Sequence, residues 1–153
     1  MTRVKINYRL IIAIVISITV LAVTSISLRK FHRDHRASTG LRMGNEAYDK
    51  HNWHKAAEYL GEYIAVIPRD TDVLARYARA QLNRRPMTAK YVSQAVNAYR
   101  RMLRIDPAHK KAAENLIDIY NYLTGNPYEA ELVAVKFLEH KQDRKINRML
   151  AMS

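Results

Sequence analysis

The chain has 153 residues, a formal net charge of +12 and no cysteine. This length suits one domain with a modest core, and the lack of cysteine excludes a thiol nucleophile and leaves no disulfide pattern to indicate the compartment. Half of the positive charge lies in residues 1–36, which hold seven Lys or Arg and one acid, so the remainder is only moderately basic. That balance argues against nucleic acid as a partner.

The first element is an apolar segment at residues 10–28, LIIAIVISITVLAVTSISL, which has no charged side chain. A helix of this length covers roughly 28 Å, close to the thickness of a bilayer core. We predict a transmembrane helix here, between a basic N-terminal tail at 1–9 and a basic hinge at 29–36. A cleaved signal peptide is the alternative. The segment is longer than a usual signal core of about 7 to 15 residues, and no A-x-A site follows it.

Basic residues flank the predicted span on both sides and favour anionic lipid headgroups at both ends. The positive-inside bias therefore nearly cancels. The short tail before the span favours a cytoplasmic N-terminus. We therefore predict a single-pass membrane protein whose C-terminal domain lies on the non-cytoplasmic side.

Beyond the hinge, apolar side chains recur three or four apart and no strand pattern competes, which predicts an all-α fold. The predicted elements are three helical hairpins and a terminal helix, at residues 37–70, 71–109, 110–143 and 144–153. Pro68 and Pro107 stop the first two hairpins, because proline cannot continue a helical ladder. Asp70 or Thr71 is a good N-cap for the helix that follows Pro68.

The second hairpin is five residues longer than a unit of about 34 residues, and the third has one residue added in its turn. We expect these extra residues in the tight turns, at NRRPMTAK and TGNPY. The terminal helix at 144–153 either caps the stack or begins a further repeat. In the second case, the chain is the N-terminal part of a longer repeat protein or enzyme.

Small, aromatic and proline residues at these spacings resemble the tetratricopeptide repeat family. The residues that carry the resemblance are Gly44, Tyr48, Trp53, Ala56 and Pro68, then Ala78, Ala95, Tyr99 and Pro107, then Leu116, Tyr120, Gly125 and Ala130. The resemblance covers about two-thirds of the chain and implies an α-solenoid of three hairpins. Two helices cross closely only where a side chain is small, so we expect Gly44 or Ala78 to face Ala56 or Ala95.

In this family the first helix of each hairpin lines a concave groove that receives an extended peptide or a partner helix. The side chains on these helices that packing does not need are Asn45, Asp49, Arg76, Arg79, Asn83, Lys111, Glu114, Asp118, Asn121 and Tyr122. Their mixture of charges suits a polar peptide with some apolar anchors. The alternative for each residue is an ordinary solvated helix face.

Some family members grip a C-terminal carboxylate with lysine, asparagine and arginine at set positions on the first helices. Here Asn45 and Lys111 match that clamp, whereas Leu41, Arg76 and Asn115 do not. The sequence therefore disfavours a receptor for chaperone tails.

No sequence pattern supplies catalysis, a cofactor or a metal site. There is no phosphate-binding glycine loop and no G-x-S-x-G elbow. The histidine pairs in HRDH at 32–35 and HNWH at 51–54 offer two ligands each, whereas zinc needs three or four. The basic pairs Arg84-Arg85, Arg100-Arg101 and Lys110-Lys111 could contact phosphates, but we interpret them as solvated outer faces.

Together these patterns predict a membrane-anchored scaffold or adaptor that is not an enzyme and binds a protein or peptide partner. Tethering at a membrane raises the effective concentration of the groove for partners that arrive there. A basic module that binds anionic lipid or nucleic acid is a further alternative.

Overall fold

The computed structural model describes residues 35–151 and, nearer the N-terminus, residues 17–19, 21 and 24. The chain divides into two units, Met1–Arg36 and Ala37–Ser153. Within the described residues, no helix combines the length and the apolar character needed to cross a membrane. Most of the span predicted at 10–28 lies outside the described residues, as do the tail at 1–9 and most of the hinge at 29–36.

The described chain from residue 35 onward is all-α, which confirms the predicted class. In chain order the helices are α1 (residues 35–49), α2 (Trp53–Val66), α3 (Thr71–Asn83), α4 (Ala89–Ile105), α5 (Lys110–Asp118), a π-helical segment (Ile119–Thr124), α6 (Pro127–Leu138) and α7 (Arg144–Leu150). They pack as sequential antiparallel pairs, α1 with α2, α3 with α4, and α5 with α6. Helix α7 then packs against α6.

Polar side chains at the turns set where the helices begin. Asn52, Asp70 and Thr88 cap α2, α3 and α4, since each side chain accepts a hydrogen bond from the backbone three residues on. Asn126 caps α6 in the same way, and Pro127 follows as its first helical residue. A cap of this kind contributes about 1 kcal/mol to stability. The residues at each turn therefore determine where the next helix begins.

One main apolar core runs through the hairpins and reaches α7. Its large, fully buried side chains are Leu60, Leu74, Tyr99, Met102, Leu116, Ile117, Phe137 and Ile146. Alanines fill the positions where helices approach each other, and Ala78, Ala95 and Ala130 have no exposed surface. Because Ile146 is also fully buried, α7 belongs to the same core as the hairpins.

The closest approach inside the first hairpin is at Gly44. A Cβ atom placed there would lie 2.6 Å from Cδ2 of Leu60 and 3.1 Å from the Leu60 backbone nitrogen. Gly44 therefore faces Leu60, one turn beyond the expected Ala56. Ala56 instead packs in a small cluster with Ala47 and Ala80, which joins α1, α2 and α3.

The extra residues do not all lie in the tight turns, so that prediction was wrong in part. Helix α4 has 17 residues against 14 in α2, so the second hairpin places some of its surplus in an additional turn of helix. In the third hairpin the first helix continues past Asp118 as the π-helical segment Ile119–Thr124. A π-helix has a wider turn than an α-helix, so it absorbs an inserted residue without breaking the helix.

We predict that Gly44→Ala destabilises the full chain by about 1 to 3 kcal/mol, because the new methyl group meets Leu60. Leu60→Ala removes a fully buried side chain and is expected to cost about 2 to 5 kcal/mol. In the double variant the methyl at position 44 enters the space that Leu60 vacates. Urea unfolding in detergent micelles should therefore show a double variant less destabilised than the sum of the single variants. A double variant whose loss of unfolding free energy equals the sum of the two single losses to within about 0.5 kcal/mol would contradict this contact.

Candidate interaction surface

The ten predicted contact residues lie on the first helix of each hairpin or on its π-helical extension. They are Asn45 and Asp49 on α1, Arg76, Arg79 and Asn83 on α3, Lys111, Glu114 and Asp118 on α5, and Asn121 and Tyr122 in the π-helical segment. We call this set the first-helix surface. Its members differ in how many contacts they make with other residues of the same chain.

Asn45 and Arg76 meet across two neighbouring hairpins. The Arg76 guanidinium donates a hydrogen bond of 3.0 Å to the Asn45 Oδ1, and it lies 5.8 Å from the centre of the Tyr48 ring. Arg76 itself is exposed. The contact makes a continuous polar surface from α1 to α3, where Arg76 presents a positive charge to solvent.

Arg79 is held by tyrosines of its own chain. A hydrogen bond to the Tyr48 side chain raises the pKa of Arg79 above its ordinary value, and Tyr99 adds to the effect. Tyr99 is fully buried, and burial raises the pKa of its phenol. Asn83 donates a 2.8 Å hydrogen bond to the backbone carbonyl of Arg79. Arg79 therefore joins α1, α3 and α4, which makes it a structural residue as well as a surface one.

On α5, Glu114 is engaged in a charged cluster at the end of the stack. Its carboxylate lies 3.2 Å from the Lys145 Nζ and 3.8 Å from the Lys110 Nζ. Lys110 also donates a 2.7 Å hydrogen bond to Asp143, the residue that caps α7. The cluster ties α5 to α7 and leaves Lys111 as the exposed cation of this helix.

The π-helical segment carries the apolar part of the surface. Tyr122 is 78% exposed and its neighbour Leu123 is 48% exposed. Tyr128, at the start of α6 just beyond the turn, is 71% exposed. Gly125 ends the segment in the left-handed conformation with φ of 59°, which glycine adopts without the steric cost that other residues carry. These exposed rings are candidate apolar anchors for a bound peptide.

The first member of each basic pair links neighbouring elements, although the side chains of Arg100 and Lys110 remain 49% and 43% exposed. Arg84 donates to the His54 Nδ1 at 2.9 Å and lies 3.9 Å from the centre of the Tyr91 ring. Arg100 pairs with Glu129 at 2.6 Å between α4 and α6. Local sequence could not reveal the contacts with His54 and Glu129, because each lies about 30 residues from its arginine.

A second concave feature, which the sequence reasoning missed, lies between the second helices α4 and α6. This α4–α6 groove has a volume of about 580 Å³ and is lined from α4 by Asn97 through Arg104 and from α6 by Glu129 through Phe137, with His140 beyond. A signal was present in the sequence, since Arg100 and Arg104 lie four apart, as do Lys136 and His140. Such spacing places each pair on one helix face.

The histidines of the HNWH segment have structural neighbours. His51 lies edge-on to Trp53, with ring centres 5.0 Å apart, and His54 accepts the hydrogen bond from Arg84. Among the described residues, no group of three or more histidine, aspartate or glutamate side chains is placed to hold a metal ion.

No family model matches the chain, and a search of curated proteins found no match either. The candidate surface therefore depends on the geometry described above.

Asp143 provides a test of the cluster that joins α5 to α7. The hydrogen bond from Lys110, with two from backbone amides, holds the pKa of Asp143 below its ordinary value of about 4. The folded state therefore binds fewer protons than the unfolded state. The stabilisation is complete above the ordinary pKa and is lost as the pH falls through the lower, folded-state pKa.

We expect Asp143→Asn to keep a capping oxygen but to lose the ion pair, so the variant should melt lower than the parent at neutral pH. It should also lose less additional stability on acidification. Melting curves of both proteins between about pH 7 and pH 2 provide the comparison. Parallel pH profiles would show that the Lys110–Asp143 pair does not contribute.

Proposed function

We propose that this chain is a membrane-anchored interaction module of the tetratricopeptide repeat type, which binds a peptide or helix of a protein partner on its first-helix surface. The observation that carries the proposal is the Asn45–Arg76 contact, which makes the first helices of two successive hairpins present one polar surface. Sequential antiparallel helix pairs with such a surface are typical of repeat proteins that bind peptides.

The contacts narrow the set of residues available to a partner. Arg79, Asn83 and Glu114 are engaged with their own chain and contribute mainly to the shape of the surface. Of the remaining members, Asp49, Arg76, Lys111, Asp118 and Tyr122 are exposed. A partner segment with both acidic and basic side chains and one apolar anchor complements this set.

The N-terminal segment supplies the second half of the proposal. Residues 10–28 are mostly apolar, have no charged side chain and are flanked by basic residues, a pattern typical of a single membrane span. We place the repeat domain on the non-cytoplasmic side. The anchor would keep the domain at the membrane surface, and its effective concentration for partners there would exceed that of a free domain. The activity is therefore binding and tethering, without a catalytic step.

Charge reversal tests the surface directly. We expect Arg76→Glu combined with Lys111→Glu to lower partner recovery at least about tenfold when the tagged full chain is isolated from detergent-solubilised membranes. Both side chains are exposed, so the melting temperature should change little.

Lys55→Glu combined with Lys90→Glu is the matched control, since it makes the same charge change at exposed positions on α2 and α4. Recovery in this control should match the parent chain. Unchanged recovery of every partner by the Arg76 and Lys111 variant would contradict the assignment of the first-helix surface. Equal loss in both variants would show that net charge, rather than this surface, governs capture.

A further inference from the structure

We propose that the α4–α6 groove is a second binding site, which takes an acidic amphipathic helix of a partner protein. The groove belongs to the second helices of the second and third hairpins, whereas the first-helix surface lies on α1, α3 and α5. It is therefore independent of the proposed function, and either site can fail without the other.

The floor of the groove is apolar and open to solvent. Phe137 and Leu116 form its buried base, with 2% and 0% of their surfaces exposed. Leu103 and Val133 are half-buried above them, and Leu132 is 51% exposed at the edge. A leucine with half of its surface in water beside an apolar floor gains stability when an apolar side chain covers it.

The rim of the groove is basic. Arg100 and Arg104 line it from α4, and Lys136 on α6 and His140 just beyond that helix line the other side. The one acid in the lining, Glu129, is already paired with Arg100 at 2.6 Å. Arg104 and Lys136 have no acidic partner within the part of the chain that the structure describes. The charge of the groove therefore selects a segment with negative side chains.

The dimensions of the groove favour a helix. Along α4 the lining extends from Asn97 to Arg104, about 10 Å or two helical turns, and Pro107 lies just beyond the end of this helix. The cations lie on both walls with apolar side chains between them, so the complementary segment has apolar residues on one face and acids at its sides. An amphipathic helix presents that arrangement, with apolar residues three or four positions apart.

The probe is a synthetic helical peptide of about 14 residues, with leucine at three- and four-residue spacing and glutamate at the flanking positions. Fluorescence anisotropy measures its affinity for the full chain in non-ionic detergent. Two comparison peptides have the same length: one has the leucines scrambled, and the other has lysine in place of glutamate. We expect at least about tenfold weaker binding of both, and weaker binding of the parent peptide as salt rises.

Protein variants locate the site. We expect Arg104→Glu with Lys136→Glu to weaken peptide binding at least about tenfold, and Arg104→Gln with Lys136→Gln to weaken it in the same direction by less. The glutamine variant preserves the test if charge reversal unfolds α4, which a melting curve reveals. Lys55→Glu with Lys90→Glu, at exposed positions outside both surfaces, is the matched control, and it should bind the peptide within about twofold of the parent chain.

The lack of cysteine in the chain permits a direct map of the bound peptide. A fluorophore on Asn97→Cys, at the groove, should be quenched by a peptide that carries a quencher. The same fluorophore on Asp49→Cys, on α1, should not be quenched. Three results would each overturn the proposal: no binding of the acidic peptide up to about 1 mM, unchanged binding by both groove variants, or equal quenching at the two positions.

Discussion

The close approach of helices at small residues is the constraint on which the rest of this structure depends. Gly44 leaves no room for a Cβ atom beside Leu60, and the backbones of α1 and α2 pack directly there. Between hairpins, a Cβ atom at Gly61 would lie 3.2 Å from the ring of Tyr77, so α2 and α3 also approach closely. This spacing brings Asn45 on α1 within hydrogen-bond distance of Arg76 on α3. The polar surface that we assign to partner binding is thus a consequence of the packing beneath it.

The charged residues divide into those that hold the stack and those that remain available. Arg100 with Glu129 connects α4 to α6, and Lys110 with Asp143 connects α5 to the cap of α7. Surface ion pairs of this kind stabilise a fold only weakly, so their main effect is to orient neighbouring helices on a core that apolar residues stabilise. The basic residues behind the high net charge are therefore not gathered on a single binding surface.

Two faces of the hairpin stack are accessible to a partner, and they differ in chemistry. The first-helix surface has mixed charges and an exposed ring at Tyr122. The α4–α6 groove has an apolar floor and a basic rim, where Arg104 and Lys136 have no acidic partner among the described residues. A partner that suits one face does not suit the other, because a mixed-charge segment would place cations against this rim. The two proposals together predict that the hairpin stack holds two different partners.

Sequence reasoning predicted the helix pairs well because the signals are local. Helical spacing, the Asp70 cap and the stops before Pro68 and Pro107 depend on neighbours within one or two turns. The side-chain contacts depend on neighbours in space. Long arginine side chains reach partners about 30 residues away, as Arg100 reaches Glu129, and no local pattern specifies which partner that is.

Contacts between residues that are distant in sequence also explain why two predictions were wrong, the residue that faces Gly44 and the places of the extra residues. Gly44 meets Leu60 rather than Ala56 because the crossing point depends on how both helices pack as units. The sequence pattern also did not predict the π-helical segment Ile119–Thr124, which extends the first helix of the third hairpin up to Gly125. The span at 10–28 and the side of the membrane stay predictions from the sequence.

Site-specific photo-crosslinking in intact membranes tests most directly whether the first-helix surface is where this protein meets its partner. A photoreactive residue is placed at Asp49 on α1, at Asp118 on α5, and at Glu58 on the exposed face of α2. The first two positions should yield the same discrete cross-linked protein, and Glu58 should not. Identical products from all three positions, or a product from Glu58 alone, would contradict the assignment.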